Sequence, residues 1–177
     1  DGQINASATL FNAKLENEIN GFSAAFGGGY TASNKDGLSQ RQGLELAVTA
    51  DLSDTLSVNT TYTYTDSTEF KNAVDGYVDE VRRPRHIASF NLAWQAQDKL
   101  QLNANVQYGG KQTDTVYPNI VTLADYTLVN LNANFSATEK LDIYVRLDNV
   151  LDDQYEEVFS YQTLGFGASL GLSLQLR

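Results

Sequence analysis

Eight segments of the chain alternate apolar and polar residues at every second position, with no helical period between them. The last is the clearest. Leu164, Phe166, Ala168, Leu170, Leu172, Leu174 and Leu176 fall in one phase, and Gly165, Gly167, Ser169, Gly171, Ser173, Gln175 and Arg177 in the other. Successive side chains of a strand point to opposite faces, so this segment has one greasy face and one small, polar face. A strand buried on both faces reads as a continuous apolar run. A strand with lipid on one side and water or protein on the other reads like this one.

The other segments repeat the pattern. The second is read from Gln42 with Leu44, Leu46, Val48, Ala50 and Leu52 in phase, and the third has Leu56, Val58, Thr60, Tyr62 and Tyr64. The fourth has Ala88, Phe90, Leu92 and Trp94, and the fifth has Leu100, Leu102, Ala104, Val106 and Tyr108. The sixth has Val129, Leu131, Ala133 and Phe135, and the seventh has Leu141, Ile143, Val145 and Leu147. Leu46, Val58, Leu92, Leu102, Leu131, Val145 and Leu172 are therefore expected to share one outward face. The first segment, about Gln3 to Ile19, switches phase: Ile4, Ala6, Ala8 and Leu10 lie in one, Phe11, Ala13 and Leu15 in the other. A bulge near Leu10 or emergence from the membrane would produce such a switch.

The connections alternate in length. Short turns are expected near Ser53, Gln97 and Thr138; long ones run over about 20–41, 66–83, 110–124 and 152–163. Short turns on one side and long loops on the other are the asymmetry of bacterial outer-membrane barrels. A soluble β-sandwich also alternates, but it does not explain the loop lengths or the aromatics at strand ends, such as Tyr62, Trp94, Tyr108 and Phe135. The fold class is thus all-β, a transmembrane antiparallel barrel segment of eight strands.

Composition narrows the chemistry. The 177 residues carry a formal net charge of −10, which argues against a nucleic-acid face, since that needs a basic stripe. There is no Cys, so thiolate metal sites and disulfides are unavailable. No apolar run is long enough for a transmembrane helix. Asp1 does not open a signal peptide, so processing, an expression boundary or upstream sequence is expected before it.

Candidate reactive groups are few. His86, the one histidine, opens a strand in the outward phase and reads as an interfacial side chain, not as a general base. Asp75, Asp79 and Glu80 lack the spacing of a calcium loop, and Asp152, Asp153, Glu156 and Glu157 lack a sugar cleft. The Gly-rich stretch at 26–29 is followed by neither Lys-Ser/Thr nor a helix, so it is no phosphate loop. No catalytic residue, metal site or cofactor is expected. Tyr offers a flat apolar face and a hydroxyl, suited to a large amphipathic ligand, and Tyr117, Tyr155, Phe159 and Tyr161 lie in the long loops.

Three stretches carry a resemblance. NVLDDQYEE, Asn149 to Glu157, resembles the N-[LV]-[FL]-D-x-x-Y signature near the end of TonB-dependent outer-membrane receptors. RRPRHIASFNLAW, Arg82 to Trp94, and QRQGLELAV, Gln40 to Val48, resemble strand openings of the same barrels, in the same order. The resemblance implies that residues 1–177 are the C-terminal arc of a barrel of about 22 strands. The plug domain and the earlier strands are not in the chain. It implies a bacterial outer-membrane transporter with outer-membrane lipids, the remaining barrel strands, TonB (reached through the plug) and a small-molecule ligand at the outer loops as partners. The family pattern ends on an aromatic residue, expected directly after Arg177.

Within that family, EEVFSYQTLG, Glu156 to Gly165, is similar to the ending of the cobalamin receptors. That similarity implies a corrinoid ligand met by Tyr161 and Gln162, and with the loop aromatics Tyr117 and Phe159 these are the ligand-binding candidates. Siderophore and haem receptors share the barrel signatures. A self-contained eight-stranded structural or adhesion barrel is the alternative outside the family.

Overall fold

A computed structural model describes residues 2–34 and 37–176. The chain forms thirteen strands: β1 (Ile4–Glu16), β2 (Ile19–Ala24), β3 (Tyr30–Asn34), β4 (Leu38–Ser53), β5 (Leu56–Asn72), β6 (Gly76–Asp79), β7 (His86–Gln97), β8 (Leu100–Gly109), β9 (Gln112–Val116), β10 (Asn119–Leu123), β11 (Tyr126–Thr138), β12 (Leu141–Asp148) and β13 (Gly167–Leu174). Eight of them make one antiparallel meander in the order β1-β4-β5-β7-β8-β11-β12-β13, with β6 beside β5. The β2–β3 and β9–β10 hairpins stand in the long connections. Tight turns fall at 54–55, 98–99 and 139–140, so the short connections share one rim and the long ones the other.

Strands β1 and β13 do not pair with each other among the described residues, so the sheet is an open arc. A self-contained ring of eight would require that pairing. The terminal aromatic expected after Arg177, and Arg177 and Asp1 themselves, lie outside the described residues.

The register confirms the expected faces. One row places Ala50, Val58, Leu92, Ala104, Leu131, Leu147 and Ala168 side by side. The next row toward the short-turn rim holds Trp94, Leu102, Ala133, Val145 and Leu170. This apolar face meets nothing: Leu170 is 71% exposed, and among the described residues only Ala50 and Leu123 are buried apolar side chains. A soluble sandwich would bury that face against a second sheet. An apolar face left bare in this way is the kind of wall a strand turns toward lipid.

The other face is polar and concave, lining a groove of about 650 Å³. A file of amides crosses it. Asn59 Nδ2 donates to Thr49 Oγ1 (2.9 Å), Asn91 Nδ2 to Asn59 Oδ1 (3.5 Å), Asn105 Nδ2 to Asn91 Oδ1 (2.7 Å) and Asn130 Nδ2 to Asn105 Oδ1 (3.1 Å). The Asn149 amide then donates to Asn130 Oδ1 (3.0 Å). Five strands are linked rung by rung through side chains, and every side-chain rung donates toward β4.

The phase switch in β1 has a cause other than a bulge. Pairing with β4 runs without a shift from Ile4↔Ala50 to Glu16↔Leu38, so the bulge near Leu10 is absent. Phe11 sits on the polar face opposite Gly43, the position that lets its ring lie flat on the neighbouring strand. Tyr144 over Gly171 and Tyr126 over Gly109 repeat the arrangement on the same face. An aromatic ring covering a cross-strand glycine supplies the packing that glycine lacks. A Cβ at Gly43 would meet both the Phe11 ring and the backbone carbonyl of Tyr64. Gly43→Ala should therefore destabilise the barrel by about 1–3 kcal/mol. The check is urea unfolding of the full-length barrel in lipid vesicles, with Gly167→Ala, where a Cβ meets only Asp148 Cβ at an ordinary 3.7 Å, as a comparison.

Strands β4 and β5 also run beyond the sequence expectation, to Leu38 and Asn72. Apart from Leu38 and Phe70, which packs on Tyr77 of β6, their extra residues are polar and lack a lipid-imposed alternation, so periodicity could not find them. Residues 164–166 have the alternation but precede β13, because Asp152 Oδ1 accepts the Phe166 amide at 2.8 Å and holds them in the loop.

Candidate functional site

The candidate site lies at the long-loop rim. Two carboxylates organise it. Glu80, 4% exposed, follows β6 and accepts from Arg41 Nε (2.8 Å), Arg41 Nη2 (2.9 Å) and the Ser67 hydroxyl. Arg83 Nε lies 2.7 Å from it, and Arg41 also reaches Glu18 at 2.5 Å. Asp114, on β9, is 1% exposed. It accepts from Arg82 Nε (2.9 Å), the Thr115 amide (2.7 Å) and the Phe159 amide (2.8 Å).

Burial acts to raise both carboxyl groups toward protonation. For Glu80, Arg41 and Ser67 outweigh it; for Asp114, the Phe159 amide, Arg82 and the Thr115 amide do. Both groups therefore sit below the usual carboxylate range. They are anionic at neutral pH, and the ties they make are lost only as pH falls through those lowered values.

The last loop, residues 149–166, is latched at its base. Asn149, 5% exposed, adopts a left-handed backbone (φ 46°). Its Oδ1 accepts the Asp153 amide (3.0 Å), and its Nδ2 donates to the carbonyls of Asp153 (3.0 Å) and Leu164 (3.4 Å). Asp153 Oδ2 in turn accepts the Thr127 amide at 2.8 Å. Tyr155 packs on Tyr126 with ring centroids 4.3 Å apart, and Tyr126 lies in the polar-face phase of β11.

Between this loop and the β9–β10 hairpin lies a cleft of about 310 Å³. Its lining includes Leu123, Tyr155, Glu156, Phe159, Gln162 and Thr163. The structure thus brings together two of the four candidates, Phe159 and Gln162. Tyr161 is 72% exposed on the same loop and does not line the cleft; Tyr117, 93% exposed, stands at the hairpin tip, away from it. Tyr155, an aromatic of the last loop in the sequence reading, also lines the cleft; Asp114, which no motif flags, was missed.

The remaining acidic candidates are engaged locally. Asp75 pairs with Lys71 (3.2 Å) and Asp79 with Arg85 (3.1 Å). No group of three metal-ligating side chains forms among the described residues. His86 Nδ1 lies 2.8 Å from the Tyr62 hydroxyl, beside Tyr64 on the apolar face, as an aromatic girdle at the membrane edge would place it.

An open antiparallel arc with a bare apolar face, an amide-lined concave face and laced loops on one rim defines a sector of an outer-membrane β-barrel. The chain belongs to the TonB dependent receptor-like β-barrel family, whose model matches residues 1–150. Among curated relatives, it is 28% identical over 160 residues to the vitamin B12 transporter BtuB of Vibrio vulnificus, covering 89% of this chain and 24% of that one. It is 25% identical over 143 residues to the iron-regulated outer membrane virulence protein of Vibrio cholerae, covering 75% and 21%. The chain thus spans about a quarter or less of these relatives' length. Among solved structures, the siderophore receptor PiuA from Acinetobacter baumannii aligns with a TM-score of 0.78 at 19% identity, over 97% of this chain and 26% of that one. The pyoverdine receptor FpvA from Pseudomonas aeruginosa gives 0.77 at 20%, over 98% and 27%. At such identities the structural likeness concerns the fold.

Proposed function

We propose that this segment is part of a receptor that imports a large, scarce nutrient, that cobalamin is the nutrient, and that the cleft beside Phe159 and Gln162 forms one wall of its binding site. The observation that carries the reading is the cleft: it joins an aromatic face, an amide and two further loop hydroxyl-bearing residues at the mouth, next to the polar-face ring of Tyr126. Its 310 Å³ is at the bottom of the range for small-molecule pockets, so it holds part of a ligand and leaves the rest to other loops. The likeness to a vitamin B12 transporter over 89% of the chain supports the ligand. Energy would enter through TonB and the plug, while the apolar face meets outer-membrane lipid and the β1 and β13 edges meet the remaining strands. No bond is made or broken in this reading.

A ferric siderophore is the second reading, favoured by the 25% identity to an iron-regulated protein. Equilibrium binding of cyanocobalamin to the full-length receptor decides between them. Phe159→Ala should weaken it by roughly tenfold to hundredfold, and so should Tyr161→Ala, whose exposed ring would meet the part of the ligand outside the cleft. Unchanged affinity in either variant removes that residue from the site. Binding of a ferric siderophore in place of cyanocobalamin replaces the ligand and leaves the transporter.

A further inference from the structure

The β9–β10 hairpin and the last loop have no sheet to support them. The hairpin pairs only with itself, and residues 149–166 contain no strand. A two-stranded hairpin is marginal in water without further packing. Yet the cleft exists only if these two segments hold a fixed distance. The one fully buried side chain among the described residues, Asp114, lies where they meet.

Its partners come from three segments. Thr115 is its own hairpin neighbour, Phe159 belongs to the last loop, and Arg82 belongs to the connection between β6 and β7. Arg82 is itself held in the left-handed region (φ 57°), which L side chains disfavour. That conformation lets one residue make two contacts: its amide donates to the Thr113 carbonyl at 2.7 Å while Nε reaches Asp114. A second tie, Gln112 Nε2 to the Glu157 carbonyl at 3.1 Å, runs between the same hairpin and loop. The neighbouring Arg83 turns the other way, to Glu80, and through it to Arg41 and Glu18. The Arg82–Arg83 pair therefore joins the loop bearing the cleft to the base of the first long loop.

A buried carboxylate is expensive unless its oxygens are fully met, and this one contributes nothing to the lipid-facing wall. We propose that Asp114, braced by Arg82, is a positioning residue of the outer mouth: it fixes the last loop against the β9–β10 hairpin and thereby sets the Phe159–Gln162 wall. The loop-fixing half stands on the geometry alone; the ligand half rests on the cleft reading above.

The test uses the full-length receptor in detergent micelles and two variants, Asp114→Asn and Arg82→Gln. Arg82 is half exposed, so its variant does not endanger folding. Hydrogen exchange is followed by mass spectrometry without ligand. Both variants should speed exchange over 155–163 by about tenfold or more, the equivalent of a lost buried partner, while peptides from β7, β8 and β11 keep their rates. Unchanged exchange in the loop overturns the proposal, as does acceleration spread equally over the barrel strands, which is a general loss of stability. Binding of cyanocobalamin then tests the ligand half. Asp114→Asn should weaken it about tenfold, and the loss should shrink in the Phe159→Ala background, because both act through one wall. Weakening by Phe159→Ala but not by Asp114→Asn overturns the ligand half. If the wild-type receptor does not bind cyanocobalamin, the cobalamin reading fails, and the exchange result still decides the loop-fixing half.

Discussion

An arginine at Leu131 is expected to cost about 2–4 kcal/mol of barrel stability, because a cation on the lipid face near the bilayer midplane loses its water and gains no partner. The register places Leu131 in the middle row of the apolar face, between Ala104 and Leu147, three rows from the Tyr64–His86 girdle. The same change at Leu102 should cost less. Leu102 is one row nearer the short-turn rim, beside Trp94, where long cations reach the interface and the penalty falls toward about 0–1 kcal/mol. Denaturant titration of the full-length barrel refolded into thin vesicles checks both. Equal costs at the two sites would contradict the depth assignment, and no cost at Leu131 would contradict a lipid-facing wall.

Asn149→Ala is the second large effect, expected at about 4 kcal/mol. Three side-chain hydrogen bonds at the base of the last loop would go, each worth about 1 kcal/mol. Alanine must also hold the left-handed φ of 46°, which adds about 1 kcal/mol. Asn149→Gly separates the contributions: it restores the backbone freedom and not the bonds, so it should recover about 1 kcal/mol of the loss. The loss should appear as protease cleavage within 149–166 before any change in the barrel strands. A glycine variant as stable as wild type would show that the side chain latches nothing.

The wall was legible in the sequence because lipid imposes one rule on every strand. Leu46, Val58, Leu92 and Leu172 fall on one face for the same reason, and period 2 exposes them. Where lipid stops, so does the signal. Ser39–Arg41 and Ser67–Asn72 extend β4 and β5 above the membrane with mostly polar residues, and Phe70 among them packs on Tyr77 across the rim instead of joining the alternation. Phe11 breaks the β1 pattern because it answers to Gly43 across the strand, a partner 32 positions away that no local window contains. The cleft was half legible. Phe159 was reached as an aromatic in a long loop and Gln162 through a family resemblance; neither signal carries loop conformation, so Tyr117 and Tyr161 came with them although they do not line the cleft. Asp114 could not be found at all, since an isolated acid among TDT looks like any solvated loop residue until the fold brings Arg82 and the Phe159 amide to it. The NVLDD signature, conversely, gains a physical content: Asn149, Asp152 and Asp153 are capping groups for orphan amides.

The file of asparagines bears on how the barrel finds the correct strand alignment. Sliding one strand by two residues keeps every leucine toward lipid, so the bilayer is indifferent to that error. The amides are not. Asn59 and Asn91 have no second asparagine two places away on their strands, so a slipped β5 or β7 would set Ser57, Thr61, Ser89 or Ala93 in their place, and a short hydroxyl or a methyl does not span the rung an amide spans. Strands β8 and β11 carry Asn103, Asn105, Asn130, Asn132 and Asn134, and there a slipped pairing would find amide against amide again. Proofreading by side chain is thus strict on the β5–β7 side of the arc and lax at the β8–β11 seam, which makes that seam the place where a misthreaded barrel would survive longest.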